Sequence, residues 1–111
     1  MEAASPMPGQ FDLTVAPHGA FGALATLRLA GQPPRRFTLQ EASIVARAID
    51  AVASASSPEH QIYMSPIASD QDFDARVEPD GLVVICPQCP DVRLTWPEAT
   101  DLAQALHAAA G

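Results

Sequence analysis

RFTLQEASIVARAIDA (residues 36–51) and RLTWPEATDLAQALHA (residues 93–108) align without a gap. Arg36/Arg93, Thr38/Thr95, Glu41/Glu98 and Ala42/Ala99 coincide, as do Ala46/Ala103, Ala48/Ala105 and Ala51/Ala108. Val45/Leu102 and Ile49/Leu106 exchange one apolar side chain for another. Each segment carries its own start signal. Thr38-x-x-Glu41 and Thr95-x-x-Glu98 are capping boxes, in which the threonine oxygen accepts from an amide of the first turn and the glutamate reaches back to the cap amide. Pro97 falls in the first turn, where its missing N–H costs little. Apolar residues then recur at helical spacing: Leu39, Ala42, Val45, Ala46, Ile49 and Val52 in one segment, Trp96, Ala99, Leu102, Ala103 and Leu106 in the other. Two amphipathic helices are predicted, about 39–55 and 96–109.

A second matched pair lies upstream. FDLTVAPHG (11–19) and FDARVEPDG (73–81) share Phe11/Phe73, Asp12/Asp74, Val15/Val77, Pro17/Pro79 and Gly19/Gly81. The spacing is 62 residues here (11 to 73) and 57 at the helices (36 to 93), so the second half is five residues shorter between its blocks. Two blocks matching in the same order indicate an internal repeat. Both upstream blocks alternate with period two, as a half-buried strand does. Each ends in a Pro-x-Gly turn that leads to a second strand, roughly 22–30 and 82–87.

The expected architecture is therefore α+β: a tandem ββα repeat with halves 11–55 and 73–109, joined by a linker over 56–72. A four-stranded antiparallel sheet with both helices on one face and a pseudo-twofold axis follows. Arg36-Phe37, Val92-Arg93-Leu94 and Gln61–Met64 are candidates for short additional strands. Residues 11–111 form one domain, and residues 1–10 read as a disordered arm.

Composition sets outer bounds. A chain of 111 residues supports one modest core, and 48% hydrophobic residues argue for a folded protein. A net charge of −7 argues against binding nucleic acid through its phosphates, and against anionic membranes. No apolar run is long enough to span a bilayer. MEAASPMPGQ, with Glu2, two prolines and no basic residue, lacks the positive start and apolar middle of a secretory signal. The expectation is a cytoplasmic protein with reduced thiols.

The two cysteines, Cys86 and Cys89, stand in CPQC, directly after Leu82-Val83-Val84-Ile85. The helix alignment puts CPQCPD opposite LAGQPP (29–34), in a turn between strands. Reactive CxxC pairs gain a low thiol pKa from a helix N-terminus; here the cap Thr95 comes six residues after Cys89, and Asp91 would oppose a thiolate. VICPQCPDVRL resembles one knuckle of a zinc ribbon, over about a tenth of the chain. The resemblance implies two thiolate ligands from Cys86 and Cys89. Zinc in a closed site takes four ligands, and the sequence has no second CxxC, so His18, His60 or a second chain would supply the rest. Inert thiols in a proline-shaped turn are the alternative.

Asp70, Asp72, Asp74, Glu78 and Asp80 gather around the third strand, where a calcium-loop pattern fails because Ala75 and Gly81 fall at its glycine and glutamate positions. No nucleophile elbow, P-loop, dinucleotide fingerprint or zinc-protease motif occurs. Leu82 to Ile85 put branched side chains on both faces of a sheet that should have one wet face, which calls for cover by the linker or by a partner.

The expected function is that of a small acidic, non-catalytic protein-binding module, a regulator, adaptor or inhibitor. Asp72, Asp74, Glu78, Leu82 and Val84 would form its contact surface, the partner would carry a basic surface, and no cofactor would be needed. A homodimer, packed sheet to sheet or through the CPQC hairpin, is expected with it. The alternative is a zinc or thiol module built on CPQC, with zinc shared between two chains.

Overall fold

A computed structural model describes residues 11–111; the expected N-terminal arm, residues 1–10, lies outside the described residues. The chain runs β1 (Phe11–His18), β2 (Gly22–Leu29), β3 (Arg35–Thr38), α1 (Leu39–Ala53), β4 (Gln61–Met64), β5 (Phe73–Glu78), β6 (Gly81–Ile85), β7 (Val92–Thr95) and α2 (Trp96–Ala110). The class is α+β, and the single four-stranded sheet is replaced by two antiparallel sheets, β1-β2-β3 and β4-β5-β6-β7. The reason is local. Each helix is preceded by a short strand that turns back on its own neighbour, β3 on β2 and β7 on β6, so each half completes its own meander. The halves meet through side chains instead of a shared ladder.

Both capping boxes form. Thr38 Oγ1 accepts from Glu41 N at 3.1 Å while Glu41 Oε1 accepts from Thr38 N at 2.9 Å; the Thr95–Glu98 box has the corresponding distances of 3.3 and 2.8 Å. Each cap contributes on the order of 1 kcal/mol. β3 and β7 start 57 residues apart (35 to 92), as do α1 and α2 (39 to 96). The strand registers keep that spacing: Ala25↔Phe37 in the first sheet stands where Leu82↔Leu94 stands in the second. The five-residue difference is absorbed in the first hairpin tip, which is longer than the tight turn at Pro79-Asp80.

The helices interleave the halves. α1 packs on β2, β3 and β4, α2 packs on β1, β6 and β7, and the two helices pack on each other. One core results, containing Leu27, Phe37, Val45 and Ile49 from the first half with Phe73, Leu82, Val84, Leu94, Leu102 and Leu106 from the second. Phe37 and Phe73 meet edge to face across the halves at 6.2 Å. Gly81 has no room for a side chain, because a Cβ there would lie 1.9 Å from the Leu94 carbonyl oxygen.

Two buried polar residues join the sheets. The Gln32 amide donates to the Val84 carbonyl at 3.0 Å and the Pro90 carbonyl at 2.8 Å. Arg35, fully buried, donates from Nε to the Asp72 carbonyl at 2.6 Å and from Nη2 to Gln32 Oε1 at 2.7 Å, and its guanidinium lies 5.9 Å from the Phe73 ring centroid. Burial pushes the Arg35 pKa down, and the nearby Asp72 charge partly opposes that shift.

The apolar β6 strand has its cover within the chain. Leu82 and Val84 point into the core. Val83, facing the other way, is flanked in register by Arg76 and Arg93 and is nevertheless only 1% exposed. Their stems shield it while their charged ends pair outward, Arg93 with Glu78 at 3.2 Å and Arg76 with Asp91 at 3.9 Å. Leu82 and Val84 thus belong to the protein's own core rather than to a contact surface. Among the described residues no helix is long and apolar enough to cross a membrane.

Candidate functional site

Outward-facing residues of β4 and β5 are set by the β4–β5 register. Tyr63 pairs with Asp74 and Gln61 with Arg76, so the alternation that sends Ile62 and Phe73 inward sends Tyr63 and Asp74 outward. They open onto a cleft of about 650 Å³ that is bounded by Asp70 and Asp72 on one side and by Ile85, Cys86 and Pro87 on the other.

Three carboxylates share this cleft. Asp72 accepts a hydrogen bond from the Tyr63 hydroxyl, and Asp74 Oδ1 accepts from Gln61 Nε2 at 2.6 Å. Arg35 holds the Asp72 main chain from beneath. Among the described residues none of Asp70, Asp72 and Asp74 is in an ion pair, whereas Glu78 and Asp91 on the same face are. Tyr63 is 57% exposed. The hydrogen bond to Asp72 raises its phenol pKa above the usual 10, with smaller contributions from desolvation and from the charges of Asp72 and Asp74. The site therefore offers concentrated negative charge beside an exposed aromatic ring and the apolar Ile85.

Of the residues expected to bind a partner, Asp72 and Asp74 line this cleft. Glu78 lies at the far end of β5, held by Arg93. The sequence reading missed Tyr63 and Ile85. Tyr63 had a signal in the alternation of Gln61–Met64; its meeting with Asp72 depends on the loop that folds β4 back along β5.

Cys86 and Cys89 are joined in a disulfide, which corrects the expectation of reduced thiols. Gln88 adopts a left-handed φ of 64°, closing a turn that brings the two Cα atoms to 5.3 Å. Local turn geometry, which compartment reasoning does not address, places these side chains together. The Gln71 amide donates to Cys86 Sγ at 3.4 Å, so the disulfide forms part of the cleft wall.

Neither histidine proposed as a zinc ligand is near. His60 lies beside Val77, whose N–H donates to its carbonyl at 2.8 Å. That is four residues along β5 from the level of Cys86, roughly 13 Å. His18 sits at the β1–β2 hairpin tip, where Nδ1 accepts from Ala20 N and Phe21 N. The CPQC loop adjoins Gly31 and Gln32, beyond the other end of β2, roughly 23 Å along that strand. Among the described residues no three His, Cys, Asp or Glu side chains stand together to hold a metal.

No protein-family model, curated protein or solved structure matches the chain.

Proposed function

We propose that this chain is a small non-catalytic binding module that receives a basic segment of another protein in the Tyr63–Asp70–Asp72–Asp74 cleft, and that it works as a homodimer. The observation that carries this reading is the set of three carboxylates without ion-pair partners among the described residues, held beside an exposed tyrosine on a face where Glu78 and Asp91 are paired with Arg93 and Arg76. Arginine side chains suit such a site, because they pair with carboxylates and stack on aromatic rings at once. The net charge of −7 would also speed encounter with a basic partner. We further propose that the two halves are copies of one strand–strand–helix unit extended by a short third strand; the 57-residue spacing shared by the β2–β3 and β6–β7 registers and by the two helix caps supports this.

The test is calorimetric titration with an arginine-rich peptide at rising salt. Affinity should fall with ionic strength, and Asp72→Asn with Asp74→Asn should weaken it about 10-fold, or ~1.4 kcal/mol. Binding that is indifferent to salt and to both substitutions would remove this reading.

The disulfide favours a second reading, a thiol module in which the Cys86–Cys89 bond cycles. Equilibration with glutathione buffers tests it: a structural bond stays oxidised across cellular poise, and a functional one changes state within it. For the zinc form of this reading, elemental analysis of reduced protein should give about half a zinc per chain when two chains share a four-thiolate site.

A further inference from the structure

The two halves differ at one edge. In the second half β4 runs along the outer edge of β5, and the Val77 N–H donates to the His60 carbonyl at 2.8 Å. β1 holds the same place against β2 that β5 holds against β6: Asp12↔Arg28 matches Asp74↔Ile85, and Val15↔Ala25 matches Val77↔Leu82. Yet among the described residues no strand pairs with the outer edge of β1. The side chains register the difference. Val77 is half-buried against the core, whereas its counterpart Val15 is 48% exposed. The amides follow the same logic. Since the Val77 N–H faces β4, alternation turns the N–H groups of Phe11, Leu13 and Val15 toward the open edge.

We infer that this edge is a self-association surface, on which β1 of one molecule pairs antiparallel with β1 of a second copy and joins two three-stranded sheets into one. The inference deepens the homodimer reading above and rests on it. The occupant is indicated by the sequence of the edge. Phe11-Asp12-Leu13-Thr14-Val15 has the same apolar–polar order in both directions about Leu13. Centred there, antiparallel pairing sets Phe11 opposite Val15 of the second copy and Asp12 opposite Thr14 of the second copy, so no like charges meet. The edge carries neither lysine nor proline before Pro17, the devices that ordinarily block such pairing. The interface is isologous, as a closed dimer requires. The added strand would cover Val15 as β4 covers Val77.

Light scattering of the full chain at about 100 µM tests this, with twice 11.7 kDa as the expected mass. Val15→Pro removes an N–H that faces the open edge and leaves the β1–β2 ladder intact; it should give the mass of one chain with unchanged circular dichroism. Val15→Lys, an edge charge on an exposed position, should do the same without any backbone demand. A wild-type mass of one chain overturns the inference and the homodimer reading together. A dimer that survives both variants overturns the inference alone. Peptide titration of the same variants reads the acidic cleft separately, since Val15 is not among the residues that line it.

Discussion

His107 Nε2 lies 2.7 Å from Asp50 Oδ2, and these two residues occupy the same position of α2 and α1, 57 residues apart. A residue that touches its own counterpart lies on the axis relating the two copies. Under the duplicated-unit reading, the approximate twofold therefore passes between the helices at this pair. Ala42 and Ala46 in α1, with Ala99 and Ala103 in α2, keep the same spacing and are fully buried.

Exchange of the pair tests that axis. Asp50→His alone and His107→Asp alone each set like side chains against one another, and each should lower stability by about 0.5 kcal/mol, the scale of an exposed pair. The double exchange restores the contact in mirror order and should recover wild-type stability within about 0.3 kcal/mol. Urea unfolding of the four proteins measures the cycle.

Gln32 and Arg35 should behave as one unit. Gln32→Ala strips Nη2 of its acceptor on a fully buried guanidinium whose Nη1 already has no partner among the described residues. It should cost roughly 2–3 kcal/mol. Arg35→Met frees the Gln32 oxygen and the Asp72 carbonyl but removes a buried charge. The double replacement Gln32→Met with Arg35→Met should cost clearly less than the sum of the single ones, as read from denaturant midpoints.

Reduction of Cys86–Cys89 should leave the fold standing. The bond closes a loop of only four residues, and loop-closure entropy scaled to that length gives a stabilisation of at most about 2 kcal/mol. Neither cysteine supplies a large core side chain. The Cys86→Ser, Cys89→Ser protein should unfold cooperatively, with a midpoint lowered by that amount or less.

The chain has a single tyrosine, so the ultraviolet absorbance of tyrosinate reports Tyr63 alone. Its titration should lie above the ordinary 10, because losing the phenolic proton breaks the Asp72 hydrogen bond. Asp72→Asn should bring it down toward that value. The sign for stability follows. This contribution is present below the unfolded-state value and is lost as pH rises through the folded-state value.

The helices were legible because their signals are local: Thr38, Glu41, Thr95 and Glu98 cap by contacts three residues away, and periodicity marks the buried face. β1 and β5 were legible by alternation. The division into two sheets was not, since alternation assigns faces and says nothing about which meanders share a ladder. The run Leu82–Ile85 suggested a face in need of a partner; its cover comes from the stems of Arg76 and Arg93, charged residues whose apolar parts a hydropathy pattern ignores. Cys86 and Cys89 could be placed in a turn, but spacing alone does not separate a disulfide from a metal pair. In the cleft, Asp72 and Asp74 were legible from charge. Tyr63 entered only through the return of β4 beside β5.

The most direct test of the central claim is a nitrogen-15 NMR titration of the full chain with an arginine-rich peptide. Shifts confined to Tyr63, to residues 70–74 and to Ile85, with Trp96 and Arg93 unmoved, are the predicted result. Shifts centred on the opposite sheet around Arg28 and Arg36, or no saturable shifts at all, would contradict it.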